Sequence, residues 1–148
     1  MIHILFVCHG NICRSPMAEF VFKDMAQKRG RGDDFFVASA ATSTEEIGNG
    51  PHYGTLSKLK QEGVPVYHRQ AVQLRRSDYD KYDLIIGMDS ANIRNITRIC
   101  GGDPEDKVRL MLSFCGLGRD VADPWYTGDF DATYRDVRAA CEAMLREL

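Results

Sequence analysis

The sequence predicts an α/β protein: a single domain with a parallel four-stranded sheet flanked by helices on both faces, a three-layer sandwich. Three observations carry this. Short apolar runs alternate with segments of helical period, the pattern of parallel strands joined by right-handed crossovers. Ile4-Leu5-Phe6-Val7 and Leu84-Ile85-Ile86 are apolar at consecutive positions, as in strands buried on both faces. The C-terminal segment sets Phe130, Tyr134, Val137, Cys141, Met144, Leu145 and Leu148 on one helical face with charges opposite. A chain of 148 residues is long enough for one real core, with roughly 70% of the unfolded surface buried.

Taken in order, residues 2–7 form the first strand. Ser15 is the expected N-cap of the first helix, with Pro16 at its first position. Met17, Phe20, Val21 and Met25 recur at helical spacing, and Gly30 and Gly32 end the element. Residues 35–40 read as the second strand, leaving Ser39-Ala40-Ala41-Thr42-Ser43 as a loop of small residues. Gly48-Asn49-Gly50-Pro51 is turn chemistry, and a helix follows from Tyr53 to Glu62. Ser77-Asp78-Tyr79 opens a short helical turn. Residues 82–88 form the third strand, and Asp89 caps a helix through Ile99. Residues 107–112 supply the fourth strand, and the amphipathic helix closes the chain.

Composition sets the bounds on function. Hydrophobic residues make up 44% and charged residues 27%, ordinary values for a globular protein. A formal net charge of −2 gives no electrostatic footprint for nucleic acid or an anionic membrane. Any anion site is therefore local. The five cysteines follow no disulfide-framework spacing and suit a reducing compartment. Residues 1–7 are too short for a signal sequence, and no apolar run approaches a membrane span. The expectation is a cytoplasmic protein, monomeric or weakly dimeric.

The chemistry concentrates at Val7-Cys8-His9-Gly10-Asn11-Ile12-Cys13-Arg14-Ser15-Pro16, between the first strand and the first helix. Backbone N–H groups of such a loop can turn inward, and the helix N-terminus adds its positive end. Gly10 relieves crowding in the turn, and Asn11 tolerates a left-handed conformation. A helix N-terminus and a nearby arginine both stabilise a thiolate, so Cys8 is expected in that form. Arg14 offers a planar fork for bidentate capture of a phosphate-like group. His9, Gly10, Asn11, Ile12, Cys13, Arg14 and Ser15 together make the expected phosphate cradle, able to take inorganic phosphate, sulfate or vanadate. A structural zinc site needs four ligands, usually in close pairs. Cys100, Cys115 and Cys141 are isolated and no His pair has ligand spacing, so no metal and no cofactor is expected.

Cys-x5-Arg-Ser is the signature of cysteine-dependent phosphatases. The fuller string Val-Cys-x-Gly-Asn-Ile-Cys-Arg-Ser-Pro-Met-Ala-Glu over residues 7–19 resembles the low-molecular-weight protein tyrosine phosphatases. The likeness runs on in order through Ser39-Ala40-Ala41-Thr42, Ile47-Gly48-Asn49, Met88-Asp89 and Asp123-Pro124-Trp125-Tyr126. It implies a flavodoxin-like, phosphotyrosine phosphatase I-like sandwich. It also implies hydrolysis of phosphotyrosine in proteins, and of small aryl phosphates, through a phosphocysteine. Cys8 would be the nucleophile, Arg14 the phosphate clamp and Asp123 the general acid, with Ser15 placed to donate a hydrogen bond to the departing thiolate. Asn11, Ser39 and His68 would hold the loop open by hydrogen bonds, although an exposed loop histidine is the competing reading of His68.

Asp123 has apolar residues before it and two aromatics after, which suits a proton donor beside an aromatic leaving group. Asp103-Pro104 is the rival pair, but its glycine-rich charged setting reads as an exposed turn. Asp89 reads as a helix cap rather than a catalytic group. Ile12, Trp125 and Tyr126 would line the substrate cleft, with Glu45 where the family usually has an aromatic wall. Cys13, five residues from Cys8, is placed to act as a resolving cysteine under oxidation. Two other activities occur on this fold. A protein-arginine phosphatase would carry threonine in place of Ile12, and an arsenate reductase would need a close pair of further cysteines, which Cys100 and Cys115 do not make.

Overall fold

The computed structural model describes residues 1–148. Strands β1 (Ile2–Cys8), β2 (Phe35–Ala41), β3 (Leu84–Gly87) and β4 (Val108–Leu110) form one parallel sheet in the order β2-β1-β3-β4. Register pairs Val7 with Ala40 on one side and with Gly87 on the other. The chain leaves β1 toward β2, then crosses back over β1 to add β3. Cys8, at the carboxyl end of β1, therefore sits at the topological switch point, where open α/β sheets bind ligands.

The period of two along β1 divides the interior. Ile4, Phe6 and Cys8 face one core with Phe20, Phe22, Ile86, Val137 and Met144. Leu5 and Val7 face the other with Ile85, Ile96, Tyr79 and Leu74. The helices α1 (Arg14–Lys28), α2 (Tyr53–Gln61) and α6 (Phe130–Glu147) cover the first face. The short α3 (Asp78–Lys81) and α4 (Ser90–Cys100) cover the second. A short α5 (Pro124–Thr127) follows the last loop. At Gly87 a Cβ would stand 2.8 Å from Ile93 Cδ1 and 3.2 Å from Asn92 Cβ, so the glycine leaves room for the start of α4 to pack closely on the sheet.

Several boundaries depart from the sequence reading. Strand β3 is shorter, Leu84–Gly87 rather than 82–88, and β2 runs to Ala41, so Ser39, Ala40 and Ala41 pair with β1 instead of standing in a loop. Helix α1 begins at Arg14, with Cys13 rather than Ser15 in the cap position. Ser15 lies in the first turn with its hydroxyl turned toward Cys8, so it serves the loop instead of the helix end. Strand β4 stops at Leu110, because residues 111–115 wind into a 3-10 turn that buries Met111 and Leu112 against α6. Helix α4 runs on to Cys100, one residue past the expected end. No helix is long and apolar enough to cross a membrane.

Candidate active site

Residues 9–13 curl from the end of β1 into α1 with Cys8 buried at their centre. Asn11 takes φ 58°, the left-handed turn its side chain tolerates, and its N–H donates to Cys8 Sγ at 3.3 Å. The loop's carbonyls are held outward. Thr42 N donates to Cys8 O at 3.0 Å, Ser43 N to His9 O at 3.0 Å and His52 N to Ile12 O at 2.8 Å. Thr55 Oγ1 donates to Cys13 O at 3.1 Å. With the carbonyls engaged outside, the N–H side of the loop faces the sulfur, which makes a nest for an oxyanion.

The side chains behind the loop form one chain of hydrogen bonds. Asn11 Nδ2 donates to Ser15 Oγ at 2.8 Å and to Ser39 Oγ at 2.9 Å. Ser15, already accepting, is free to donate to Cys8 Sγ at 3.0 Å. Ser39 likewise donates to Glu19 Oε1 at 2.6 Å. Asn11 Oδ1 accepts from Arg69 Nη2 at 2.8 Å and from Val72 N at 3.2 Å. Every polar atom of this fully buried amide is satisfied, which fixes the turn.

His68 does not join this network. It is exposed, while its neighbours Tyr67 and Arg69 both reach Glu19. His68 points out, and Arg69, turned in toward Asn11 and Glu19, takes the place expected for it. The available signal was Glu19, a carboxylate among buried residues of α1 that needs a cation or donors.

Arg14 is buried, with Nη1 donating to Asp89 Oδ2 at 2.8 Å and to Val121 O at 2.9 Å. Its Nη2 faces Asp123 Oδ2 at 3.3 Å. Burial works against the guanidinium charge, but Cys8, Asp123 and Asp89 outweigh it and raise the Arg14 pKa. Asp89 is the cap of α4, as expected, with Oδ1 accepting from Asn92 N at 2.7 Å. It also has a second duty that the sequence did not reveal, because its other oxygen holds Arg14.

Val121 N donates to Met88 O at 2.9 Å, which brings the loop carrying Asp123 beside the end of β3. Asp123 Oδ1 accepts from Trp125 N at 3.0 Å and caps α5. The rival Asp103 stands in the turn before β4, bonded to Tyr79 Oη at 2.7 Å and to the N–H groups of Lys107 and Val108 at 2.8 and 3.1 Å. It is half-buried rather than exposed, and it organises that turn.

Cys8, His9, Gly10, Ile12, Cys13, Arg14, Asp123, Trp125 and Tyr126 line one cleft, about 500 Å³ with its open mouth. Glu45 and Glu46 complete the rim. Glu45 is exposed and its Oε2 lies 3.1 Å from His9 Nε2. Glu46 was not foreseen; it lies against Gly10, where a Cβ would meet its Cγ at 3.3 Å. Burial first, and then the nearby Cys8 charge, push the Cys13 thiol up to about 12. Cys100 is buried among Leu74 and Tyr79 in the second core, and Cys115 lies in the 3-10 turn; neither lines the cleft.

Comparison with known proteins gives a consistent result. The family model described as low molecular weight phosphotyrosine protein phosphatase matches residues 3–148. The low molecular weight protein-tyrosine-phosphatase YfkJ of Bacillus subtilis is 38% identical over 150 residues, covering 100% of this chain and 96% of that protein. Its crystal structure overlays with a TM-score of 0.95, covering 99% and 94% of the two chains. A low molecular weight protein tyrosine phosphatase from Streptococcus pyogenes overlays at 0.90 with 40% identity, over 100% and 93%. A Drosophila arginine phosphatase overlays at 0.87 with 28% identity, over 97% and 96%.

Proposed function

Because this chain belongs to the low molecular weight phosphotyrosine protein phosphatase family, and is thereby a phosphoric monoester hydrolase, we propose that it acts through a phosphocysteine on Cys8. The observation that carries this is the convergence on one cleft of the Cys8 sulfur, which accepts from Asn11 N–H, with Arg14 and Asp123. The Cys8 thiolate attacks phosphorus in line as the phosphorus–oxygen bond to the phenol breaks. Loop N–H groups and Arg14 hold the three equatorial oxygens, where transition-state charge gathers. Asp123 gives its proton to the departing phenolate. In the second step water attacks the phosphocysteine, its proton goes to Asp123, and inorganic phosphate and thiolate are released. Ser15, 3.0 Å from the sulfur, donates to the leaving thiolate.

Ile12, Trp125 and Tyr126 suit an aryl phosphate and favour phosphotyrosine. The Glu45 and Glu46 carboxylates are the one feature that would favour a phosphorylated guanidinium instead. Hydrolysis of para-nitrophenyl phosphate in EDTA, followed by a comparison of phosphotyrosine and phosphoarginine peptides, decides between them. Cys8→Ser abolishes turnover yet retains vanadate binding, since the cradle is mostly backbone. Asp123→Asn lowers kcat/KM on poor leaving groups by about two to four orders of magnitude. Substantial turnover by Cys8→Ser would overturn the mechanism, and the Asp123 pattern appearing in Asp103→Asn would overturn the acid assignment.

The five free cysteines suit a reducing, cytoplasmic setting. Within it, Cys13 is the resolving partner for an oxidised nucleophile. Peroxide converts the Cys8 thiolate to a sulfenic acid, and attack by Cys13 on that sulfur forms the disulfide and releases water. Because Cys13 is a buried, high-pKa thiol, closure is slow at neutral pH and speeds up as pH rises. Thiol reductant restores the wild-type enzyme after brief peroxide treatment and restores Cys13→Ser much less. Equal recovery would leave Cys13 as core packing only.

A further inference from the structure

His52, outside both segments, touches the phosphate loop and the loop of Asp123. Its backbone N–H donates to Ile12 O at 2.8 Å. Its ring Nδ1 accepts from Gly54 N at 3.0 Å and caps α2. The same ring stacks on Phe130, the first residue of α6, at 5.3 Å and 19°. It stacks on Tyr53 at 4.5 Å and meets Trp125 edge-on at 5.7 Å and 79°. Phe130 in turn packs against Ile12 and Cys13 from beneath. A Cβ at Gly54 would stand 2.4 Å from the Phe130 ring, so this close seat depends on a glycine.

The Asp123 loop is pinned on its near side, where Arg14 Nη1 donates to Val121 O at 2.9 Å, Arg14 Nη2 reaches Asp123 Oδ2 at 3.3 Å and Val121 N donates to Met88 O at 2.9 Å. Thr133 Oγ1 holds Ala122 O at 3.1 Å, and Asp123 caps its own short helix through Trp125 N. Trp125 and Tyr126 are both exposed. The His52 ring is the only aromatic partner recorded for Trp125, two residues from Asp123. The far side of the loop, where the aromatic side chains are exposed, takes its position from such a contact.

We propose that His52 is a positioning residue for the general acid: its ring, seated on Phe130, holds Trp125 and thereby sets Asp123 over the phosphate loop. This rests on Asp123 being the acid. The role is in leaving-group protonation, not in phosphate capture, because the ring meets neither the Cys8 sulfur nor Arg14. Phosphate and transition-state analogues that need no proton donor are therefore indifferent to it.

Two substitutions separate the ring from the cap. His52→Phe keeps an aromatic surface and loses the acceptor for Gly54 N. His52→Asn keeps an acceptor that caps α2 and loses the ring. The readout is kcat/KM, which covers the steps through release of the phenol, on para-nitrophenyl phosphate and on unsubstituted phenyl phosphate. In His52→Asn, phenyl phosphate loses about tenfold to a hundredfold, the usual cost of misplacing a catalytic group by about 1 Å. Para-nitrophenyl phosphate, whose phenol leaves without help, stays within about twofold, as does inhibition by vanadate. His52→Phe stays near wild type on both substrates. Adding His52→Asn to Asp123→Asn causes no further loss, since the group being positioned is gone.

Equal losses on both esters, a His52→Phe as impaired as His52→Asn, or additive losses in the double variant would overturn the proposal. If Asp123→Asn itself shows no dependence on the leaving group, the acid assignment falls and takes this role with it. If Asp123→Asn shows that dependence and His52→Asn does not, only the positioning role falls.

Discussion

Glu45 stands at the cleft mouth with its carboxylate against His9 and most of its side chain in water. An exposed pair of this kind contributes little to stability. Its effect is on substrates, because two carboxylates, Glu45 and Glu46, border the approach of a dianion. Peptides with basic residues beside the phosphorylated one are therefore preferred over acidic ones. Glu45→Trp supplies a ring wall worth about 0.5–1.5 kcal/mol. It raises kcat/KM on aryl phosphates about two- to tenfold, mainly through KM, because ring contact stabilises ground and transition states alike. Identical steady-state kinetics on acidic and basic phosphopeptides would mean that the Glu45–His9 pair stays clear of substrate.

At the scale of elements, helix α4 is coupled to Arg14, the proposed phosphate clamp, through one carboxylate. Asp89 Oδ1 closes a capping box with Asn92, and Oδ2 accepts from Arg14. Asparagine has a single acceptor oxygen and can serve the helix or the arginine, not both. Asp89→Asn keeps the cap, so its melting temperature stays above that of Asp89→Ala, which loses about 0.5–2 kcal/mol with the cap. Both variants lower affinity for inorganic phosphate, because Arg14 loses its anchor. An Asp89→Asn enzyme with wild-type phosphate inhibition would show that Val121 O alone positions Arg14. The irregular stretch before α3 serves the site in a similar way: Tyr67 and Arg69 brace Glu19 and Asn11 from outside the sheet.

For the molecule as a whole, the edge strand β4 is tied to α3 through Asp103, far along the chain from the catalytic loop. Partial burial of the Asp103 carboxyl works to raise its pKa. The hydrogen bonds from Tyr79, Lys107 and Val108 outweigh it and hold the pKa below the ordinary value. A carboxyl depressed on folding adds stability above its unfolded pKa, about 3.9, and loses it as pH falls through the folded value. Asp103→Asn therefore melts lower than wild type at pH 7, and the two curves converge below about pH 4. A gap in melting temperature that persists unchanged to pH 3 would exclude this carboxylate as an acid-side stabiliser. Catalysis at neutral pH is unaffected, since Asp103 lies outside the cleft.

The sequence by itself determined the parallel sheet, the order of its elements and the strand–loop–helix junction that carries Cys8 and Arg14. Each is a local pattern: consecutive apolar residues in β1 and β3, 3.6-residue spacing in α6, and Cys8 through Ser15 between a strand and a helix. Asn11 was legible because one residue's tolerance for positive φ decides its place. Only the tertiary structure decided which distant groups meet. Ser15 was expected to serve the sulfur and to cap the helix; only the first holds, and what the fold adds is Ser39, brought from β2 to share the Asn11 amide with it. Arg69 displaces His68 because the outward or inward sense of an extended chain depends on what it packs against. Asp89 reaches Arg14, and His52 reaches Trp125, because parallel strands and crossovers bring residues far apart in sequence to one end of the sheet. Side-chain periodicity carries no information about such pairings. The polar ones follow from two buried charges, Arg14 and Glu19, and one buried amide, Asn11, that must each be satisfied.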